Sequence, residues 1–132
     1  MSDFRDLLQA HLDEAQARDM VWGTDDCTAW VASWMERRTG RAVSRPHWGS
    51  EEEARRLIEG AGSLEALWDQ VMRENGYPET FEAERGDVGI IDVRGVQVGG
   101  IFLAGGYFAW RGAPRGVAVL RPRQTVRAWA IS

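Results

Sequence analysis

Apolar side chains recur every three to four residues along the first half of the chain, and this spacing predicts four helices, each with one apolar face. The first stripe consists of Phe4, Leu7, Leu8, His11, Leu12 and Ala15. The second consists of Cys27, Trp30, Val31, Trp34 and Met35, and the third of Ala54, Leu57 and Ile58. The fourth consists of Leu64, Leu67, Trp68, Val71 and Met72.

Capping and stop signals lie at the ends of these stripes. Ser2 or Asp3 is the expected cap of the first helix. The second helix is expected to stop at Thr39-Gly40, since glycine readily adopts the left-handed conformation that ends helices. The segment Ser50-Glu51-Glu52-Glu53 has the form of a capping box and opens the third helix. Ser63 precedes the fourth helix, and Asn75-Gly76 ends it.

From Gly86 onward the pattern changes to short runs rich in β-branched and aromatic residues, which predict strands. The runs are Val88–Val93, Val96–Leu103, Tyr107–Trp110, Val117–Leu120 and Val126–Ile131. The turns between them leave no room for crossover helices, so a sheet of about five mostly antiparallel strands is expected. Helices followed by strands predict an α+β fold in a single domain, 1–132, with a helical half over about 1–76 and a sheet half over about 86–132.

Glycine pairs in the sheet half have no helix after them. Gly99-Gly100 and Gly105-Gly106 therefore do not form a dinucleotide-binding fingerprint, which needs a strand followed by a helix. We expect both pairs to form bulges or hairpin turns.

The inventory of reactive side chains excludes several chemistries. Cys27 is the single cysteine, and His11 and His47 are the two histidines, so neither an intrachain disulfide nor a Cys/His zinc cluster can form. All 16 cationic side chains are arginines, and the absence of lysine excludes Schiff-base chemistry and a Walker-type P-loop. We expect no metal and no cofactor.

Charge and hydropathy bear on location and partners. The net charge of -4 argues against general nucleic-acid binding, although residues 86–132 carry six arginines and two acids. The uncharged run from Gly95 to Trp110 is too short for a membrane span. The N-terminal residues contain no apolar stretch typical of a signal peptide, so synthesis and folding in the cytoplasm are expected.

The residues around Cys27 have the pattern of an activated thiol. Trp22-Gly23 is followed by capping residues and then by Cys27 at the head of a predicted helix. Unpaired backbone N–H groups and the helix dipole at that position favour a thiolate. The negative charges of Asp25 and Asp26 oppose it. A small buried hydrophobic role for Cys27 is the alternative, because the residue also continues the apolar stripe of its helix.

Four short motifs in a fixed order resemble the NlpC-type, papain-like cell-wall peptidases. The Asp26-Cys27 pair resembles the Asp-Cys motif of that family. Arg85-Gly86-Asp87-Val88-Gly89-Ile90-Ile91 resembles the segment that opens its first central strand, and Gly100-Ile101-Phe102-Leu103 resembles part of its His-Val-Gly-Ile-Tyr strand. The Trp22-Gly23-x-x-Asp26-Cys27 start and the final Val126-Arg127-Ala128-Trp129 are similar to a compact branch encoded among phage and prophage tail genes. The resemblance covers about 20–131 and implies a papain-like fold with Cys27 as candidate nucleophile.

The chain departs from this family at the general base. A cysteine hydrolase needs an imidazole to take the thiol proton and deliver it to the leaving amine. An ungapped alignment places the family's histidine at Val98, and a shift of one residue places it at Gln97. His11 lies on an apolar stripe, which favours a core role, and His47 lies in a loop, which favours a surface or packing role. No sequence spacing brings either histidine to Cys27, so only the tertiary fold can pair them.

Seven tryptophans are a high number for this length. Trp30, Trp34 and Trp68 lie on helix stripes and are expected in the core. Trp22, Trp48 and Trp110 lie at the ends of elements. Core packing is favoured for these three as well, and an exposed tryptophan cluster that contacts a protein or a sugar is the alternative. Such an interface would depend on exposed residues such as Trp48, Trp110 and Arg111.

The resemblance implies a structural or assembly protein of a phage or prophage tail on a catalytically degenerate cysteine-peptidase scaffold. The expected partners are other tail or baseplate proteins and peptidoglycan, and the expected location is the virion tail, or the bacterial cytoplasm before assembly. Two alternatives stay open. One is an active cysteine hydrolase that cuts peptidoglycan peptide cross-links with Cys27 as nucleophile, and the other is a cytoplasmic interaction module unrelated to viruses.

Overall fold

The computed structural model describes residues 6–112 and 114–131. Within them, four α-helices precede five strands, which confirms the α+β class. The helices are α1 (Leu7–Gln16), α2 (Cys27–Thr39), α3 (Glu51–Ala61) and α4 (Leu64–Asn75). The strands are β1 (Val88–Val93), β2 (Val96–Phe102), β3 (Phe108–Arg111), β4 (Val117–Leu120) and β5 (Thr125–Trp129), and a 3₁₀ turn (Ala104–Gly106) joins β2 to β3.

Helix ends follow the local signals, with one exception. Ser50 and Ser63 accept hydrogen bonds from backbone N–H groups of α3 and α4, as N-caps do. Gly40 and Gly76 end α2 and α4 in left-handed conformations. The predicted cap of α1 is wrong. This helix begins at Leu7, and its cap is Asp6, which accepts a hydrogen bond from the Gln9 N–H at 3.0 Å; Ser2, Asp3 and Phe4 lie outside the described residues.

The sheet has the strand order β4-β3-β2-β1-β5, and each neighbouring pair is antiparallel, as predicted. Strand β2 ends at Phe102, one residue before the predicted end, because the chain turns at Leu103. The Leu103 N–H donates to the Tyr107 carbonyl at 2.8 Å across this turn. After β5 the backbone leaves the sheet, and the Ile131 N–H donates to the Asp87 carboxylate at 3.3 Å. Asp87 thereby ties the start of β1 to the end of the described chain.

Alternation along the strands divides the apolar core between the two faces of the sheet. The face toward the helices carries a cluster that includes Leu8, Trp30, Trp34, Trp68, Met72, Val88, Ile90, Ile101 and Trp129. The opposite face carries Ile91, Phe102, Phe108 and Ala128, with the half-buried Val93, Val98, Trp110 and Leu120 packed against them. Successive residues of a strand therefore face opposite sides of the sheet, and only every second side chain faces the helices.

The expectation for Gly99-Gly100 is wrong. Both residues lie inside the regular β1–β2 ladder, opposite Ile90 and Gly89. Neighbouring groups occupy the space of the missing side chains: a Cβ at Gly99 would overlap the Trp68 indole, and one at Gly100 would overlap the Ala109 carbonyl and the Phe108 ring. The β-bulge lies instead between Ile90 and Ile91, in the pairing of β1 with β5. Gly105 and Gly106 do form a turn, with φ of 74° and 80°.

Candidate functional site

Cys27 is the first residue of α2 and follows a turn that only glycine can make. Gly23 has φ of +88°, and a Cβ on it would overlap the Trp48 carbonyl. The loop before α2 and the loop that contains Trp48 therefore touch at this point. This close approach brings Trp48 to the head of the helix that carries Cys27.

Asp26 holds the elements around Cys27 together. It is the N-cap of α2, is 2% exposed, and accepts a hydrogen bond from the Ala29 N–H at 2.9 Å. Its second oxygen accepts from the Gly23 N–H at 2.7 Å and from the Trp48 indole N–H. One buried carboxylate thus satisfies a helix end, a turn and a tryptophan from another loop.

The surroundings of Cys27 oppose ionisation of its thiol. Burial and the adjacent negative charge of Asp26 raise its pKa, and they outweigh the Thr28 hydroxyl and the backbone N–H groups of Gly99 and Thr28, which act in the opposite direction. The Sγ atom lies 4.0 Å from the Thr28 hydroxyl, which accepts a hydrogen bond from the Trp68 indole N–H at 3.1 Å. A thiol with a raised pKa is protonated at neutral pH and is a poor nucleophile.

A partly open, mainly apolar pocket of about 210 Å³ adjoins Cys27. It lies between the head of α2, helices α3 and α4, and strand β2. The lining side chains are Trp22, Asp26, Cys27, Thr28, Trp48, Glu51, Ala54, Arg55, Leu57, Ile58, Leu64, Leu67 and Gln97. The accessible surface of the pocket is mainly apolar, and Trp22 and Trp48 lie in its lining together with several polar side chains, which is typical of a binding pocket.

The two residues predicted at the histidine position, Gln97 and Val98, face opposite sides of β2. Gln97 lines the Cys27 pocket, and its side-chain oxygen accepts a hydrogen bond from the Glu65 N–H at 3.1 Å. Val98 lies on the other face, against the cluster that contains Phe102 and Phe108. Gln97 is therefore the β2 side chain that lines the pocket of the thiol, and an amide cannot accept the thiol proton at neutral pH.

Neither histidine is hydrogen-bonded to the Cys27 thiol in the part of the chain that the structure describes. His11 is 5% exposed, stacks on Trp30 at 5.1 Å between ring centroids, and lies 3.1 Å from the Trp30 carbonyl through Nε2. This confirms its predicted role as a satisfied core residue. Burial is the main cause that lowers the pKa of His11. His47 is exposed in its loop and does not line the pocket.

Arg111 is buried, so its predicted exposure is wrong. Its side chain is fully withdrawn from solvent and donates to Asp25 at 2.7 Å, while Arg18 forms a two-pronged ion pair with the same carboxylate. Arg111 also donates to the backbone carbonyls of Gly116, Arg18 and Asp19. Burial raises the pKa of Asp25, but the hydrogen bonds and charges of the two arginines outweigh it and lower the pKa overall. This network fixes the loop before Cys27 on the sheet.

The tryptophans are buried or half-buried, which agrees with the favoured core packing. Trp30, Trp34 and Trp68 lie in the core, as predicted. Trp48 and Trp110 are half-buried rather than exposed, because Trp48 is bonded to Asp26 and Trp110 packs near Phe108. The predicted contact surface of Trp48, Trp110 and Arg111 is therefore not present in that form.

Sequence reasoning missed three contributors to the site: the second role of Asp26, the support from Arg111 and the contact of Trp68 with Gly99 and Thr28. Each joins residues far apart in the chain, so no local spacing indicates them. The one available signal was the pair of adjacent aspartates before Cys27, since a helix needs only one cap.

In residues 6–112 and 114–131, no group of three or more His, Cys, Asp or Glu side chains could hold a metal ion. No helix over these ranges has both the length and the apolar character to cross a membrane.

The chain belongs to the family described as Domain of unknown function (DUF6950), whose model matches residues 1–131. No curated protein and no solved structure matches the chain.

Proposed function

We propose that this protein is a catalytically inactive relative of the papain-like NlpC-type peptidases and acts as a structural or assembly component of a phage or prophage tail. The observation that carries the proposal is the identity of the β2 residue at the Cys27 pocket, which is Gln97 rather than a histidine. The amide can neither take the thiol proton nor return one to a leaving amine.

The electrostatics of the thiol support the same proposal. In a working cysteine hydrolase a neighbouring imidazolium stabilises the thiolate. Here burial and Asp26 raise the pKa of Cys27. His11 is bonded to the Trp30 carbonyl and approaches Arg37 rather than the pocket.

The tail assignment rests on the resemblance of the Trp22-Gly23-x-x-Asp26-Cys27 start and of the Trp129-containing last strand to proteins encoded among tail genes. These residues have structural roles that a catalytically inactive protein with the same fold would also need. Gly23 and Asp26 shape the loops, and Trp129 fills the core. Each is explained by folding alone.

Two measurements test this function. The purified wild-type protein and a Cys27→Ala variant are incubated with peptidoglycan, and released peptides are quantified. We expect both to equal the buffer background. In the phage or lysogen that encodes the chain, mass spectrometry of purified particles should detect the protein, and Cys27→Ala should leave its incorporation unchanged. Absence from purified particles would contradict the tail assignment without affecting the catalytic one.

One observation favours an active hydrolase as the second candidate. Cys27 is at a helix N-terminus beside a pocket, and the backbone N–H of Gly99 acts to lower the pKa of the thiol, which favours the thiolate. Peptide release by the wild type that Cys27→Ala abolishes would establish this function in place of the proposed one. His11 or His47 would then have to move to serve as the base.

A further inference from the structure

An aromatic side chain projects into solvent from the loop between α4 and β1. Phe81 is 92% exposed, the largest exposure among the large hydrophobic residues that the structure describes as exposed. The loop is held against β5, because the Thr80 N–H donates to the Ala128 carbonyl and the Ala130 N–H donates to the Pro78 carbonyl, each at 2.9 Å. The phenyl ring is therefore displayed by an anchored backbone. Leaving such a ring in water forgoes a burial free energy that docking would recover.

Acidic side chains flank this ring. Glu82 and Glu84 follow Phe81 closely, are exposed, and form no ion pair with other residues in the described ranges. We call residues 79–84 the Phe81 loop. A surface that receives it needs an apolar floor and a cationic rim.

Such a surface lies at one end of the sheet. A groove of about 630 Å³ is formed where β1 turns into β2 and where β4 leads to β5. Its apolar floor consists of the half-buried Val93, Leu120 and Val126. Its rim consists of the exposed Arg94, Arg121 and Arg123, with Asp92 and Gln124 beside them. We call this the arginine groove.

The three rim arginines have no carboxylate partner within the part of the chain that is described. The Asp92 carboxylate accepts a hydrogen bond from the Gly95 N–H at 2.8 Å, and the Arg121 guanidinium lies 5.9 Å from the Tyr107 ring centroid. By contrast, Arg127, close by on β5, pairs with Asp69 and Glu79. In a chain of net charge -4, three arginines without carboxylate partners at one end of the sheet form a local cationic site.

We propose that the arginine groove binds the Phe81 loop of a second copy of this chain. The ring would cover the floor of Val93, Leu120 and Val126, and Glu82 and Glu84 would meet the rim arginines. The occupant is a second copy because both halves of the pair are on the same molecule: an exposed apolar ring beside acidic residues, and an apolar floor with a cationic rim.

The two surfaces are neighbours. Val126 lines the arginine groove and also the recess beneath the Phe81 loop. A two-fold axis between two copies can therefore pair each loop with the opposite groove at the same time, which gives a closed dimer. This contact is independent of the Cys27 pocket and of the function proposed for it.

Analytical ultracentrifugation of the full chain over a wide concentration range tests the contact. We expect a monomer–dimer equilibrium whose Kd rises with salt, because the rim charges are exposed. Phe81→Ala should raise the Kd by about tenfold or more, since buried aromatic anchors carry much of the affinity of an interface. Val21→Ala, another exposed apolar position at 52% exposure, should leave the Kd unchanged.

Charge reversal tests the pairing itself. Arg121→Glu with Arg123→Glu should weaken the dimer, as should Glu82→Arg with Glu84→Arg, while all four substitutions together should restore it. Arg38→Glu with Arg56→Glu, at exposed positions of α2 and α3, is the control that makes the same change in net charge. Circular dichroism checks that every variant keeps its fold, and exposed positions should permit this. A wild type that stays monomeric at all concentrations, a Phe81→Ala variant that dimerises normally, or a fourfold variant that does not recover would each overturn the proposal.

Discussion

The guanidinium of Arg111, on β3, lies 2.7 Å from the Asp25 carboxylate, two residues before Cys27. The side chain of Arg111 has no exposed surface, and that of Asp25 is 15% exposed. The pair connects the sheet to the loop that positions the head of α2. The candidate site therefore depends on a residue that does not line its pocket.

Replacing Arg111 with methionine should destabilise the protein by about 3 kcal/mol or more. Removing one partner of a buried ion pair leaves the other charge incompletely compensated, and three backbone carbonyls also lose their donor. Urea unfolding at neutral pH measures the loss. Arg115→Met is the matched control, because Arg115 and its partner Asp19 are 59% and 75% exposed. We expect less than about 1 kcal/mol from it. Equal losses for the two variants would contradict the role of Arg111.

His11 should make stability depend on pH below its usual pKa of about 6.5. Burial lowers the pKa of His11 in the folded protein, so the unfolded chain binds a proton first as the pH falls. Its contribution to stability is therefore complete above pH 6.5 and is lost as the pH falls from there toward the folded pKa.

Urea unfolding at about pH 8 and about pH 5.5 measures this dependence on either side of the usual histidine pKa. His11→Phe should reduce the difference between the two pH values, although the loss of the bond to the Trp30 carbonyl lowers stability at both. His47→Gln, at an exposed position, should retain the wild-type difference. A His11→Phe variant with the full wild-type difference would assign the effect to other groups.

Gly99→Ala should destabilise the protein by about 1–3 kcal/mol, the usual cost of overpacking a core. The added methyl group would overlap the Trp68 indole, whose N–H also holds the Thr28 hydroxyl beside Cys27. Gly60→Ala is the opposite control, since Gly60 lies inside α3 and a Cβ there meets nothing within 4 Å. It should stabilise the protein by about 0.5–1 kcal/mol. Thermal or urea unfolding of both variants checks the contrast, and a neutral Gly99→Ala would mean that Trp68 can move freely.

Arg94→Gly should stabilise the folded monomer by about 0.5–1 kcal/mol while weakening its association with a second copy. Arg94 has φ of +54°, and it occupies the β1–β2 hairpin with Gly95 at +83°. Residues other than glycine and asparagine are disfavoured at the positive φ angles of such a turn. Urea unfolding at low concentration and sedimentation at high concentration separate the two effects. A loss of monomer stability would show that Arg94 makes favourable contacts within its own molecule.

The sequence predicts the elements well because their signals act over a few residues. Ser50, Ser63, Gly40 and Gly76 each cap a helix through contacts within one turn, and short runs rich in β-branched residues mark β1 and β4 directly. The cap of α1, which was predicted wrongly, is also a local signal. Asp6 was a further capping residue, and apolar spacing that extends back to Phe4 concealed it.

The candidate site is less predictable because contacts between distant segments make it. Arg111 and Asp25 are separated by 86 positions, and Trp48 and Asp26 by 22. Nothing near Arg111 in the sequence indicates burial, since an arginine at the end of a strand is usually exposed. The sequence likewise does not decide whether Gln97 or Val98 faces the pocket. A shift of β2 by one residue exchanges the two faces of the strand, so its register must be known.

The central claim is that the Cys27 thiol lacks an activating base, and the pH dependence of its alkylation tests this most directly. The rate constant for iodoacetamide with the folded protein is measured from about pH 5 to about pH 10, on both sides of the ordinary thiol pKa near 8.5. We predict a rate that rises steadily with pH through and beyond that value, with no reactive fraction in acid. Gln97→His, which introduces an imidazole at the pocket, should increase the rate at low pH. A fast plateau below about pH 6 in the wild type would reveal a thiolate paired with a base and would contradict the account.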